Sequence, residues 1–208
     1  MTTNPINKGF IIILSSPSAA GKSSLAKTLL QADNNIKFSV SATTRSPRVG
    51  EVEGINYFFK TKDEFNQLID QNMFLEYANI YNNDYGTPKK HVEDLLNQGY
   101  DVLFDIDWQG AKLIEQSFAN VVTIFILPPN LTSLKQRMKD RGQDSEEAIE
   151  LRMELALKEI NNAKYYEYIV FNDVFEIAVK TIHSIIIAQR AKRIRCDLDS
   201  WINLSSKL

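Results

Sequence analysis

The sequence predicts an α/β protein: a doubly wound parallel sheet flanked by helices, with an inserted segment of different character. Three observations carry this. Continuously apolar, β-branched runs such as "FIIILSS" (10–16), "DVLFDID" (101–107) and "VVTIFILPP" (121–129) read as strands buried on both faces. Helix-patterned runs alternate with them almost throughout, the order that builds parallel sheets. From about 36 to 88 the alternation lapses into short strand-like pieces and turn-rich stretches.

The elements follow in order. "KSSLAKTLLQA" (22–32) predicts a helix with Leu25, Leu29 and Leu30 on one face. In the insertion, "KFSVSATT", "GINYFF" and "FLEYANI" read as short antiparallel strands around one helix near "KDEFNQLIDQ". "KKHVEDLLNQG" (89–99) is helical and stops at Gly99; "WQGAKLIEQS" follows the strand at 101–107. Pro128 and Pro129 end the strand at 121–129, and "LTSLKQRMKDRG" (131–142) is a helix ending at Gly142. A longer helix spans 145–163, with Asp144 as N-cap and Glu147 three residues on. "YEYIVFND" (167–173) is the last strand, and a helix runs from about 174 to 196. In such sheets ligands bind at the C-terminal ends of the strands.

Composition narrows the function classes. The chain has 208 residues, 44% apolar and 24% charged, which suffices for a core without disulfides or metals. A formal charge of −2 gives no electrostatic case for nucleic acid or a membrane surface as main partner. Cys196 is the only cysteine, so no intrachain disulfide forms. The apolar run Phe10–Leu14 is too short to span a bilayer and lacks signal-peptide flanks, so a cytoplasmic location is expected. His91 and His183 have no metal-ligand spacing and read as helix-surface or packing residues. The pair Tyr165–Tyr166 reads as packing, and the basic run 190–195 as a cationic helix end that complements the dipole.

The chemistry begins at "SPSAAGKS" (16–23), between a strand and a helix. It matches G-x-x-x-x-G-K-[ST] except that Ser16 replaces the first glycine. A helix N-terminus offers unpaired N–H groups and a positive dipole end, which suit phosphate. The loop Ser16, Pro17, Ser18, Ala19, Ala20, Gly21, with Lys22, Ser23 and Ser24, is therefore the expected ATP-phosphate site. Lys22 reaches the terminal phosphates, and the Ser23 hydroxyl ligates Mg²⁺. "VLFDID" sets Asp105 and Asp107 at a strand end, where P-loop enzymes hold the Mg²⁺ shell; Asp105 is the expected carboxylate, directly or through water.

The insertion adds a second constellation. Arg45 and Arg48 flank Pro47, so two forked donors sit on one stiff loop, suited to a phosphate; Tyr57 adds a hydroxyl. Glu76 is a carboxylate able to accept guanine N1–H and N2–H₂ together, whereas adenine N1 is itself an acceptor. Ser41 and Thr87 supply hydroxyls for guanine O6.

The run "SVSATTRSPRVGEVEGINYFF", then "FLEYANIYNNDYGT", then "VLFDID-WQGA", closely resembles the guanylate kinase family, and the resemblance extends to "IVFND" (169–173). The stretch T-T-R-x-P-R-x-G-E is its most specific part. The resemblance implies transfer of the ATP γ-phosphate to GMP or dGMP with Mg²⁺, in purine nucleotide metabolism. It implies a single domain with a P-loop core (8–35, 89–136, 164–208), a mixed α/β GMP-binding insertion (about 36–88) and a helical lid (about 137–163). It implies that Arg45, Arg48, Tyr57 and Tyr85 hold the GMP phosphate, and that Ser41, Glu76, Thr87 and Asp107 lie near guanine. Arg137, Arg141 and Arg152 resemble the lid arginines that join Lys22 and Arg45 in catalysis; Asn172 and Asp173 fall near adenine. The family commonly shows P-S-G-A-G-K, and Ala19 is the departure here: if position 19 needs positive φ, alanine costs about 1 kcal/mol. Two other readings stay open: a catalytically inactive guanylate-kinase-like module that binds proteins, and a kinase of the same fold acting on a sugar phosphate. Retention of Lys22, Ser23, Arg45, Arg48 and Glu76 argues against the first; Ser41, Glu76 and Thr87 argue against the second. The oligomeric state is left open.

Overall fold

A computed structural model describes residues 8–80, 82–140, 145–198 and 202. Five parallel strands form the main sheet in the order β2-β7-β1-β8-β9: β1 (Ile11–Ser15), β2 (Ile36–Phe38), β7 (Asp101–Asp105), β8 (Val121–Leu127) and β9 (Tyr168–Phe171). The central strand β1 is buried throughout, which is why its sequence is continuously apolar rather than alternating. Its side chains divide by parity. Phe10, Ile12 and Leu14 pack with Leu25 and Leu29 of α1 (Lys22–Ala32) and with Ile182 and Ile186 of α7 (Phe175–Arg190). Ile11 and Ile13 pack on the other face with Val92 of α3 (Lys89–Asn97) and Ile114 of α4 (Trp108–Ser117). Helices thus cover both faces, the arrangement that parallel strands require.

A second sheet of four strands, ordered β4-β3-β6-β5, comprises β3 (Ala42–Thr43), β4 (Phe58–Phe59), β5 (Phe74–Ile80) and β6 (Asn83–Pro88). Its helix α2 (Lys62–Asp70) begins with a capping box between Thr61 and Glu64. Two expectations are corrected here. The insertion was expected from 36, but Ile36–Phe38 pairs in parallel with β7 and belongs to the main sheet; the break falls in the serine-bearing segment after Phe38. The insertion was expected to be antiparallel, but β3 and β4 pair in parallel because the long 44–57 connection returns the chain to the same end.

Two further helices, α5 (Leu131–Asp140) and α6 (Glu146–Ile160), pack through Leu134, Met138, Ile149 and Ala156. The N-cap of α6 is Ser145, whose hydroxyl accepts from the Ala148 N–H; the expected cap, Asp144, lies outside the described residues. Helix α7 ends at Arg190 rather than near 196, and a short 3₁₀ turn follows at Arg193–Arg195. There Arg195 is 4% exposed, lies over the Phe10 ring at 4.1 Å and donates to the Gln189 carbonyl at 2.8 Å. Arg190 instead turns to Asp101 (2.6 Å) and Asp33 (2.7 Å) at the N-terminal edge of the main sheet. His91 packs edge-on against Phe58, His183 lies beside Asp33, and Tyr166 packs against Phe125. No helix among the described residues is long and apolar enough to cross a membrane.

Candidate functional site

The loop between β1 and α1 is built around two left-handed residues, Ala19 (φ 67°) and Gly21 (φ 99°). Gly21 meets two demands: its φ disfavours any side chain, and a Cβ there would collide with the Asn172 amide. Ala19 takes the conformation that glycine serves better, at a strain of about 1 kcal/mol. Ser16 does not take a left-handed conformation, so serine satisfies that position; its hydroxyl donates to the Pro17 carbonyl at 2.9 Å. No side chain caps α1, which leaves its first-turn N–H groups available to an anion.

The parallel register of β1 and β7 sets Leu14 opposite Asp105 and so delivers that carboxylate to the loop. Lys22 Nζ lies 2.6 Å from Asp105 Oδ1, and the Ser23 hydroxyl donates to Asp105 Oδ2 at 2.9 Å. Lys22 also reaches the Ile106 carbonyl at 3.4 Å. Ser24 is exposed beside them. Three expected residues are therefore assembled, with the cation and hydroxyl both paired to one carboxylate.

The helical pair reaches the same loop. Arg137 of α5 donates to the Asn172 carbonyl at 2.9 Å and the Ala20 carbonyl at 3.5 Å. Arg152 of α6 donates to the Ser18 hydroxyl at 2.7 Å. Arg141 lies outside the described residues. Asn172 is 5% exposed, and its amide donates to the Ala20 carbonyl at 2.8 Å, so this side chain braces the loop. Asp173 is exposed.

On the other side, a cleft of about 270 Å³ lies between the two sheets. Ser41, Asn56, Tyr57 and Thr87 line one wall, and Phe104, Asp105 and Ile106 the other. Thr87 donates to Glu76 Oε1 at 2.6 Å. Burial pushes the Glu76 carboxyl above its ordinary range, and the nearby Asp107 charge adds to this; the Thr87 hydrogen bond opposes it. Asp107 caps α4 by accepting from the Gly110 N–H at 2.9 Å.

Arg45 is held by Glu51, its Nη2 donating to both carboxylate oxygens at 2.7 and 2.9 Å, and lies 5.3 Å from the Tyr57 ring centre. Tyr57 and Tyr85 meet edge-on at 6.0 Å. Glu51 also accepts from the Arg48 N–H at 2.8 Å, while the Arg48 side chain is exposed. The hydrogen bond from Arg45 and then that from Arg48 hold Glu51 below the ordinary carboxylate range.

A family model described as guanylate kinase matches residues 8–189 of this chain. The chain belongs to the guanylate kinase family. A guanylate kinase of Rickettsia felis is 63% identical over 186 residues, covering 89% of this chain and 97% of that protein. One from Rickettsia conorii is 64% identical, over 89% of this chain and 81% of that protein. The crystal structure of guanylate kinase from Anaplasma phagocytophilum superposes with a TM-score of 0.70 at 36% identity, covering 91% of this chain and 90% of that one.

Within this guanylate kinase frame, sequence reasoning missed three residues at the site. Glu51, which orders Arg45, closes the quoted motif T-T-R-x-P-R-x-G-E, so a signal existed. Asn56 lines the cleft one residue before Tyr57. Glu159 of α6 is half-buried, with the Lys22 and Asp107 charges nearby. Burial raises the Glu159 pKa and the Asp107 charge adds to this, while the Ser18 backbone and the Lys22 charge oppose it. No local pattern marked Glu159, because these groups lie far from it along the chain.

Proposed function

We propose that this chain transfers the γ-phosphate of ATP to GMP, and to dGMP, giving ADP and GDP or dGDP. One observation carries the reading most: the cleft bearing Ser41, Tyr57 and Thr87 shares its far wall with Asp105, the partner of Lys22 and Ser23. An acceptor nucleotide in the cleft therefore meets a donor nucleotide at the loop.

In this reading Glu76 accepts from guanine N1–H and N2–H₂ through the carboxylate oxygen not bonded to Thr87. Ser41 and Thr87 lie beside the ring, and Asp107 flanks it. Arg45, Arg48, Tyr57 and Tyr85 hold the acceptor phosphate, with Glu51 orienting the first of them. The ATP phosphates rest on the loop 16–21 and the N-terminus of α1, with Lys22, Ser23 and Ser24; Asn172 supports the loop from β9. Phosphoryl transfer is mostly positioning and charge neutralisation. Lys22, Arg45, Arg137, Arg141 and Arg152 supply the positive charge, and closure of the helices over the nucleotide excludes water. No general base is required, because a phosphate oxygen is already a competent nucleophile.

Mg²⁺ fits the donors present. Ser23 Oγ and Asp105 offer hard oxygen ligands. That matches an ion held by one or two protein oxygens and substrate phosphates. When bound, it supplies neutralisation of phosphate charge. The reading places the protein in the cytoplasm, acting in purine nucleotide metabolism.

The test is a coupled ADP-release assay with ATP and Mg²⁺, comparing GMP with AMP, CMP and UMP. Turnover should be confined to GMP and dGMP. Equal rates with AMP, or none with GMP, would overturn the reading; GMP binding without turnover would favour the inactive module.

A further inference from the structure

Between Phe38 and Ala42 the chain passes from the main sheet to the inserted one. The Ser39 N–H donates to the Leu103 carbonyl at 2.9 Å, which ties this residue to β7. Two residues on, the Ser41 carbonyl accepts from the Phe58 N–H at 2.9 Å, which ties that residue to β4. Both serines line the cleft between the sheets. Ser39 is 4% exposed, and its hydroxyl has no hydrogen-bond partner among the described residues. No other side chain lining the cleft has a buried polar atom left so among the described residues. A buried hydroxyl without a partner is costly, and most such groups in folded proteins are satisfied.

The hydrogen-bond inventory of the acceptor site supplies the complement. An ionised Glu76 only accepts, so the Thr87 hydroxyl commits its single proton to Oε1 at 2.6 Å. That proton does not serve guanine O6, which Thr87 was expected to share with Ser41. A carbonyl oxygen has two lone pairs, and the Ser41 hydroxyl has one proton to give. The Ser39 hydroxyl is a second donor in the same cleft, and it is uncommitted.

We propose that Ser39 is a further base-recognising residue of the acceptor site: its hydroxyl donates to guanine O6, directly or through one bound water. The complex then provides the partner that this buried group lacks in the free protein. The 6-oxo group is held from both sheets, by Ser39 on the core and by Ser41 on the insertion. The pair of contacts is complete only when the two sheets are correctly placed about the base. This inference rests on the reading of the cleft as the GMP site.

The experiment compares wild type with Ser39→Ala. It measures Tm without nucleotide, binding of GMP and of 6-thio-GMP by calorimetry, and the ATP KM. The thio analogue keeps N1–H and N2–H₂ for Glu76, but its sulfur is a weak acceptor. In Ser39→Ala the GMP Kd should rise about three- to tenfold, the size of one neutral hydrogen bond. The 6-thio-GMP Kd and the ATP KM should each move less than about twofold. The Tm should be unchanged or higher, by up to about 5 °C, because the substitution removes a buried hydroxyl that has no partner.

The opposite directions of stability and GMP affinity separate recognition from a merely structural role. A GMP Kd that rises less than about threefold would overturn the proposal. So would an equal loss with 6-thio-GMP, which would place the contact away from O6. A lowered Tm, or a Ser39→Ala variant that fails to fold, would overturn it as well, since the hydroxyl would then serve the free protein. The wild type tests the underlying reading separately: if it binds GMP and the variant matches it, only the Ser39 assignment fails. A wild type that binds no GMP overturns both.

Discussion

Glu76→Gln probes the selectivity for guanine at a single atom. The Thr87 hydroxyl donates to Oε1 at 2.6 Å, and glutamine can keep that bond through its amide oxygen. The amide NH₂ then takes the place of Oε2, and a donor faces the guanine N1–H and N2–H₂. A hydrogen bond to a charged acceptor contributes about 1.5–3 kcal/mol, so kcat/KM for GMP should fall roughly ten- to a hundredfold. Adenine N1 is an acceptor and gains a donor, so the ratio of GMP to AMP activity should fall at least as far. The pH profile gives a second readout. Burial, with the Asp107 charge, holds the Glu76 pKa above its ordinary value, and protonation removes the acceptor. Wild-type kcat/KM for GMP should therefore decline on acidification at a pH above the ordinary carboxylate range, and Glu76→Gln should remove the Glu76 share of that limb, leaving the ionisation of the GMP phosphate, about pH 6. Steady-state kinetics with GMP and AMP from pH 5 to 9 measure both. A GMP kcat/KM within about threefold of wild type, or an acid limb of the same shape in variant and wild type, would refute the reasoning.

Two further variants test the scaffold. Gly21→Ala introduces side-chain strain at φ 99° and drives the Asn172 amide off the Ala20 carbonyl; together these cost roughly 2–4 kcal/mol, lowering Tm by about 5–15 °C and weakening ADP binding more than tenfold by calorimetry. Arg190→Met leaves Asp101, 2% exposed, without its guanidinium partner, costing about 3–5 kcal/mol and about 6–20 °C in Tm, with kinetics at 20 °C unchanged because the pair lies at the far edge of the sheet. Burial raises the Asp101 pKa and Arg190 opposes this, so in the variant the pKa rises further and stability is lost as pH climbs through it. Asp33, which Arg190 and other partners hold below its ordinary value against burial, stabilises the wild type above that range. The Asp101 effect makes the Tm deficit larger at pH 8 than at pH 5, while the Asp33 contribution is present alike at both and fades only on stronger acidification; a deficit larger at pH 5 would refute the assignment.

The main sheet was legible because burial on both faces writes itself into the chain as continuous apolar runs, as in "FIIIL". The strand–loop–helix at 16–23 was legible because its requirements are local: a strand end, a tight turn, Lys22 and Ser23 at a helix start. Ile36–Phe38 was misassigned because a three-residue strand carries too little pattern to reveal which sheet it joins. The cap of α6 shifted by one residue because serine and aspartate are near-equivalent caps, and adjacent candidates compete on geometry alone. The brace that Asn172 makes on Ala20 was not legible, since a single asparagine carries no record of the carbonyl it meets across the fold. Glu159 and the Arg190 pairings were invisible for the same reason.

The cations of the site share a feature that bears on selectivity. Lys22 pairs with Asp105, Arg45 with Glu51, Arg137 with two carbonyls and Arg152 with Ser18. None of these contacts is deeply desolvated, so each can exchange for a phosphate oxygen at modest cost. Under the proposed function, nucleotide binding is then largely a trade of one partner for another, and the net Coulombic gain per contact is small. Discrimination must come from geometry: which oxygens reach several donors at once without disturbing the braces that aim them. Such a site rejects a stray anion that satisfies one cation but breaks its existing pair. It also stays sensitive to Glu51 and Asn172, which hold Arg45 and the loop in place without being donors to phosphate.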